Sequence, residues 1–364
     1  MEKEIVADET YKKLACVLDT LPNGFPETKS GVEIKLLKKI FTPEQAGLFC
    51  ELRLTMETAA EIASRTGRDL SQTSELLETM RRDGQVFSIN FEDTRWYKMM
   101  PWVFGIFEFQ LHRLDKEMAE LADEFEEYSK QFFSIRPQLM QVLPVEEDIP
   151  SIQTALPWER VSSIIEHGQS FRIMDCICKK KKSLLGKPCD RTVRVCMAIA
   201  PVPGIFENDE QGRVISREEA YSILKKSEEE ALVHLTANTQ FGQFYICNCC
   251  SCCCGILGSI ERYGIPASSV VNSQYYAEID QGTCTGCGIC ASERCQVRAI
   301  EEGDSFKVIR DRCIGCGLCI STCPSFAIKL VRKPEVEISI PPITENEWFE
   351  ERGKNRGVDF SRFK

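Results

Sequence analysis

Two segments of the chain share one spacing of cysteines. Cys284-Thr-Gly-Cys287-Gly-Ile-Cys290 and Cys313-Ile-Gly-Cys316-Gly-Leu-Cys319 repeat the pattern CxGCGxC 29 residues apart, each followed by a further cysteine, Cys295 and Cys323. Core packing does not produce two CxxCxxC runs each closed by a fourth thiol. A CxxCxxC loop wraps so that three thiolates converge on three irons of one iron–sulfide cube, with backbone N–H groups turned toward the sulfurs. Gly286, Gly288, Gly315 and Gly317 allow the close backbone approach and positive φ that this wrapping needs. Zinc fits poorly, because it takes its four ligands in two separated pairs rather than three adjacent thiolates and a remote one.

From Tyr275 to Leu330, about one sixth of the chain, these runs resemble the bacterial two-[4Fe–4S] ferredoxin. The resemblance implies that the fourth cysteine of each run serves the other cluster. One cluster would then take Cys284, Cys287, Cys290 and Cys323, and the other Cys313, Cys316, Cys319 and Cys295. Ala299-Ile300, a turn at Gly303-Asp304 and Phe306–Ile309 read as the hairpin joining the halves. The first run departs from the family. Four residues separate Cys290 from Cys295, and Gln296 stands where proline is usual, whereas the second run keeps Cys323-Pro324.

A second store of thiols lies upstream. Cys176, Cys178, Cys189 and Cys196 form one group, and Cys247, Cys249, Cys250, Cys252, Cys253 and Cys254 form another about fifty residues later. Ser216-Arg-Glu-Glu219 is a capping box opening a helix to about His234, and Phe244–Ile246 reads as a strand that delivers the second group. Neither spacing matches a derivable ligand rule. An additional iron–sulfur cluster is the favoured reading, with Cys176, Cys178, Cys189 and Cys196 the first choice of ligands; a redox-active dithiol or substrate-binding thiolate site and zinc are the alternatives. Neighbouring cysteines in 249–254 must point in different directions, so some are expected to be spare. Lys179–Lys182 beside Cys178 read either as a solvated loop or as a positive patch that favours thiolates or docks an acidic partner.

The elements that must position these groups follow from patterning. Of the 20 cysteines only Cys16 and Cys50 precede residue 170, so the N-terminal module is read as metal-free. Thr42-Pro43-Glu44-Gln45 starts a helix, Glu57–Arg65 stopped by Gly67 makes a second, and Ser71–Arg82 a third with Asp69 or Ser71 as cap and Leu76, Leu77 and Met80 inward. Val86–Ile89 and Arg95–Met99 flank a hairpin turn. Helices then hairpin is the order of a winged helix-turn-helix, which residues 31–100 resemble. Phe104, Phe107, Leu111, Leu114, Met118, Leu121, Phe125 and Tyr128 recur every 3.5 residues on average, a long helix that either packs on its own domain or forms a homodimer. Pro137, Pro144, Pro150 and Pro157 mark a linker.

The expected layout is therefore an α+β multidomain chain. It comprises an extension at 1–30, the winged-helix-like segment 31–100, the heptad helix and linker 101–157, an α/β cysteine-rich module 158–274, the ferredoxin segment 275–332, and a tail 333–364 that wraps back over the body or meets a partner. The chain has 364 residues, 43% apolar and 27% charged, which excludes disordered and fibrous classes. Its first residues lack a secretory pattern, and the longest apolar run, Val195–Phe206, is interrupted by two prolines and a glycine, so neither export nor a membrane span is expected. So many thiols in a chain of this kind point to a cytoplasmic, reducing setting and to metal ligation rather than disulfides.

Taken together, winged helix, cysteine module and ferredoxin segment resemble the large multidomain 4Fe–4S proteins of anaerobes, which implies electron transfer. No GxGxxG, Walker or HExxH motif houses a nucleotide or catalytic zinc. The leading expectation is an electron carrier or subunit working with a flavoprotein or other oxidoreductase. The alternatives are a reductase with its own thiolate or Fe–S site in the middle module, and a redox-sensing DNA-binding regulator. A formal charge of −10, and 11 acidic against 10 basic side chains over 31–100, argue against nucleic acid. His112, His167 and His234 lack catalytic pairing and are read as structural or exposed.

Overall fold

Thr42 and Gln45 satisfy each other's backbone across a helix start: the Thr42 hydroxyl accepts from Gln45 N at 3.2 Å, and the Gln45 side chain accepts from Thr42 N at 2.8 Å. The computed structural model describes residues 2–146, 156–207, 211–303 and 305–364. The chain divides into two units. One comprises Met1–Phe132, Lys180–Lys187 and Phe349–Lys364, and the other Phe133–Lys179 and Pro188–Trp348.

The first unit begins with α1 (Glu2–Thr20), α2 (Val32–Ile40) and α3 (Pro43–Phe49). Next come β1 (Glu57–Thr58), α4 (Ala59–Thr66), α5 (Leu70–Arg82), β2 (Phe87–Phe91) and β3 (Thr94–Lys98), with the strands in an antiparallel sheet of order β1-β3-β2. α4 starts later than the predicted Glu57, because Thr58 forms a capping box with Glu61 and leaves Glu57 to the sheet. Gly67 ends it in the left-handed region at φ +68°, which a side chain would disfavour. Asp69 caps α5 through Gln72 N, and α5 buries Leu77 and Met80 while Leu76 is half-buried. The hairpin closes on Glu92 and Asp93, both at positive φ as a two-residue turn requires.

The segment 104–128 does not form one helix. Val103, Phe104 and Gly105 leave helical geometry, with Phe104 at φ +59° and the Gly105 N–H held by the Glu108 carboxylate at 2.9 Å. A true helix, α6 (Lys116–Glu126), begins only after Asp115, whose carboxylate caps Met118 N at 2.8 Å. Met118 and Phe125 are buried within this unit, and the other apolar residues of the pattern are half-buried. Phe125 packs on Phe25 with ring centroids 4.7 Å apart and on Trp102 at 5.9 Å. A homodimer through a continuous 104–128 helix therefore lacks its helix. Of the linker prolines, Pro150 lies outside the described residues.

The second unit is built on a sheet. In chain order its elements are β4 (Met140–Leu143), α7 (Val161–His167), β5 (Ser170–Asp175), α8 (Ile177–Leu184, of which Ile177–Lys179 belong here), β6 (Arg194–Ala200), β7 (Arg213–Ile215), α9 (Arg217–Glu229), β8 (Val233–Ala237), β9 (Tyr245–Cys249), α10 (Gly255–Tyr263), α11 (Ala267–Val270) and β10 (Val271–Asn272). Seven strands pair in the order β10-β4-β8-β9-β6-β5-β7, antiparallel except for β10 with β4. Leu143, Ile165, Phe171, Ile173, Met197 and Ile246 form the centre of a core between the sheet, α7 and α9. α9 has its predicted Ser216 cap but stops at Glu229, and His234 lies on β8 instead.

The last third of this unit carries β11 (Tyr275–Ile279) antiparallel to β14 (Ile328–Arg332), and between them β12 (Ile300–Glu301) antiparallel to β13 (Lys307–Val308). The hairpin expected between the halves is thus present, although Asp304 of its turn lies outside the described residues. The tail forms α12 (Glu345–Arg356); Arg356 donates to Asp19 O at 2.8 Å and Arg352 to Pro22 O at 3.1 Å within the first unit. Among the described residues, no helix is long and apolar enough to cross a membrane.

Candidate metal centres

The two CxGCGxC loops lie beside the β11–β14 pair. Gly286, Gly288, Gly315 and Gly317 all adopt positive φ. At Gly315 a Cβ would lie 2.3 Å from Tyr275 O, so only glycine fits this turn. Cys284, Cys287 and Cys290 line one recess with Cys323 of the other run, against Ile279, Phe306 and Ile328. Cys295 lies in the electrostatic surroundings of Cys313, Cys316 and Cys319. Each closing cysteine thus faces the opposite run.

Backbone donors converge on these sulfurs. Ala299 N lies 3.1 Å from Cys295 Sγ and Ala277 N lies 3.4 Å from Cys313 Sγ. Burial pushes the Cys316 thiol up to about 12 and raises Cys319, Cys295 and Cys290 as well, with neighbouring thiolates adding to the effect. Cys323 moves the other way: burial opposes ionisation, but the Ser325 hydroxyl and backbone N–H groups outweigh it. Crowded, buried thiols of this kind ionise together only when a cation compensates them. Soft donors in fours, a shared apolar recess and N–H groups on sulfur fit an iron–sulfur cluster.

The middle module sorts its thiols differently from the expected grouping. Cys189, Cys250, Cys252 and Cys253 hold their sulfurs all within 4.8 Å of one another. Cys189 lies 3.7 Å from both Cys250 and Cys252, and Cys252 lies 3.6 Å from Cys253. The Arg191 guanidinium is 4.0 Å from the exposed Cys252 sulfur. Cys176, Cys178 and Cys196 instead adjoin Cys247, Cys249 and Cys254. The quartet Cys176, Cys178, Cys189 and Cys196 is therefore not one site, because Cys189 lies beyond α8 in a loop that meets the 250–253 turn.

Sheet register explains the partition. β6 and β9 pair Met197 with Ile246, which sets Cys196 opposite Cys247, and β5 pairs Met174 with Cys196 just before Cys176. Cys247 and Cys249 alternate with Asn248, so both point to one face. On the other face, Asn248 bonds the buried His234 and donates to Val195 O at 2.6 Å, which locks β9 against β6 and β8. His234 is thus structural, and His112 and His167 are exposed.

Lys179–Lys182 are not a solvated loop. Lys179, Lys181 and Lys182 are buried on α8. Lys179 donates to Thr192 O at 2.5 Å, while in the first unit Lys181 pairs with Glu126 and Asp123, and Lys182 with Asp123 at 2.7 Å. Of the four lysines, Lys181 and Lys182 are thus paired with carboxylates and Lys179 is turned onto a backbone carbonyl.

Two residues join the modules of the second unit: Arg294, which sequence reasoning passed over, and Gln296, which it noted only as standing in place of the usual proline. Arg294, buried, donates to Leu318 O at 3.0 Å and to Glu229 O and Glu228 O at 2.9 and 2.7 Å. The Gln296 side chain accepts from Ser251 N at 3.2 Å, within the turn that carries Cys250, Cys252 and Cys253. The signal was Gln296 itself, which breaks the proline pattern.

A family model described as a 4Fe-4S binding domain matches residues 306–329, which contain Cys313, Cys316, Cys319 and Cys323. No curated protein matches the chain. The C-terminal third therefore carries a 4Fe-4S binding domain, and with the gathered thiols upstream it supports an iron–sulfur protein of mixed helix and sheet.

Proposed function

We propose that this chain is a one-electron carrier, or the carrier subunit of a larger oxidoreductase, working in a reducing cytoplasm with a flavoprotein or another oxidoreductase as partner. Cys284, Cys287, Cys290 and Cys323 would hold one [4Fe–4S] cluster, Cys313, Cys316, Cys319 and Cys295 a second, and Cys189, Cys250, Cys252 and Cys253 a further metal centre. Such clusters, when bound, accept and release single electrons with little rearrangement. The single observation that carries the reading is Cys323 lining the recess of the first run. The protein's own groups then tune the site: N–H donors on sulfur stabilise added negative charge, and the apolar walls limit water. The segment 31–100, read as a winged helix, serves best as a protein-docking platform. In its third helix Arg81 is bound by Glu78 and Arg82 reaches Thr79, which weakens the DNA-binding alternative. A reductase with its own centre in the middle module is the second reading, favoured by exposed Cys252 beside Arg191.

The test is iron and acid-labile sulfide per chain on anaerobically purified protein, with electron paramagnetic resonance after reduction. At least about eight of each are expected, and Cys323→Ser should disturb the same signal as Cys284→Ser. If Cys323→Ser instead altered only the signal lost in Cys313→Ser, the crossed ligand assignment would be wrong. Iron near zero would end the electron-carrier reading.

A further inference from the structure

The ten middle-module thiols fall into two sets of neighbouring sulfurs, which pack on each other where Cys176, Cys178 and Cys196 meet Cys189, Cys250 and Cys253. The first set is a ring: Cys176 adjoins Cys178 and Cys196, Cys196 adjoins Cys247, Cys247 adjoins Cys249, Cys249 adjoins Cys254, and Cys254 returns to Cys178. The second is the four-thiol group of Cys189, Cys250, Cys252 and Cys253. Adjacent residues part between them: Cys249 and Cys254 go to the ring, Cys250 and Cys253 to the quartet.

Two helices begin at the ring. Cys254 is the N-cap residue of α10, and Cys176 immediately precedes α8. Each helix brings the partial positive charge of its N-terminus to the same group of thiols, which suits an anionic occupant. Without a cation these six thiols, three buried and three half-buried, would have to stay protonated beside their neighbours. One tetrahedral metal ion would use four and leave two as spare, protonated thiols. All six are used only when several metal ions share them. The module already has a hydrophobic core of its own around Phe171, Ile173 and Met197, so it does not need zinc as a structural staple.

We infer that the middle module holds two separate metal centres, and that the ring of Cys176, Cys178, Cys196, Cys247, Cys249 and Cys254 binds a polynuclear iron–sulfur centre. The inference rests on the iron–sulfur reading above. On binding, the thiols release their protons to solvent and the thiolates bond to the iron of a centre assembled from iron and inorganic sulfide supplied in the cell.

The experiment is metal and sulfide analysis of the full chain, purified without oxygen, together with Cys196→Ser and Cys249→Ser for the ring, and Cys189→Ser and Cys252→Ser for the quartet. Iron clearly above the roughly eight of the ferredoxin segment is expected in the unaltered chain. Ring variants should lose iron and sulfide while keeping the metal of the quartet, quartet variants the reverse, and both should keep the resonance signals of the ferredoxin segment. Loss of the same metal in all four variants would mean one centre and overturn the inference. So would zinc, rather than iron, lost from the ring variants. Iron X-ray absorption on the unaltered chain decides the matter if the variants do not fold: iron near eight per chain, with zinc in the remaining thiol sites, defeats this inference alone, whereas iron near zero defeats the electron-carrier reading as well.

Discussion

Arg294 offers the sharpest quantitative test of how the second unit is held together. Its guanidinium is buried and reaches three backbone carbonyls, Leu318 O beside the second cysteine run and Glu228 O and Glu229 O at the end of α9. A hydrogen bond from a charged donor contributes about 1.5–3 kcal/mol, so three would reach about 4.5–9 kcal/mol if they added. They do not add fully. Burial depresses the Arg294 pKa, the signature of a charge partly removed from water, and water can reach the freed carbonyls once the side chain is gone. Arg294→Ala should therefore cost about 3 kcal/mol. With a urea slope of about 2 kcal/mol/M, the unfolding midpoint should fall by about 1.5 M. Arg294→Lys keeps the charge but loses the fork, and should sit roughly midway. The assay is urea unfolding followed by circular dichroism on anaerobically purified, fully loaded chain. A midpoint for Arg294→Ala within about 0.2 M of the parent, or a lysine variant no better than alanine, would refute the assignment of this residue as a three-carbonyl clamp.

Three further outcomes follow from the first unit. Thr42→Ala removes one half of the α3 capping box and should destabilise by about 1 kcal/mol, read as a lower unfolding midpoint. Burial pushes the Asp123 carboxyl up, but Lys182 and Lys181 outweigh it and hold it below its ordinary value; a depressed carboxyl stabilises above its unfolded pKa of about 3.9 and stops doing so as pH falls through its folded value. The parent should exceed Asp123→Asn in stability by about 1–2 kcal/mol near neutrality, with the gap closing below about pH 4; a gap that widened on acidification would reverse the sign of this argument. Duplex DNA should show no salt-sensitive binding at about 0.15 M salt, and a retarded complex in a gel-shift assay would restore the regulator reading.

What was legible in the sequence was local. The Thr42–Gln45 box, a cap at Asp69 or Ser71 and the Gly67 stop were readable because cap and partner lie within three or four residues of each other. The four glycines of the cysteine loops were readable because the loop dictates their φ. The heptad pattern over 104–128 misled, since apolar spacing reports which residues face inward and not whether one helix carries them. Gly105 and Asp115 were the local signals of the breaks. The thiol partition was illegible for a different reason: Cys196 meets Cys247 through the register of β6 on β9, fifty residues apart, and a shift of one residue would have turned Cys247 and Cys249 to the other face. Lys181 and Lys182 were misread for the same reason, because the carboxylates of Asp123 and Glu126 that bury them are more than fifty residues away.

The irregular first cysteine run makes sense beside these contacts. A ferredoxin standing alone gains from a compact CP turn after its fourth cysteine, as Cys323-Pro324 retains at an exposed edge. After Cys295 the chain does something a proline cannot: Gln296 presents a side-chain carbonyl to Ser251 N in the quartet's turn. The spacer before Cys295 is long enough to include Arg294, which grips the end of α9. On the far side, Val145 N donates to Cys316 O at 2.9 Å and further encloses the second run. The two thiol sets of this segment are consequently unequal. Cys287 and the Cys323–Phe326 turn reach the surface, with Phe326 88% exposed, whereas Cys295 and Cys316 are half-buried and Cys319 is buried. Departure from the family pattern therefore falls where the segment meets the rest of the unit through Arg294 and Gln296, and adherence to it at the Cys323-Pro324 turn, which lies at the surface.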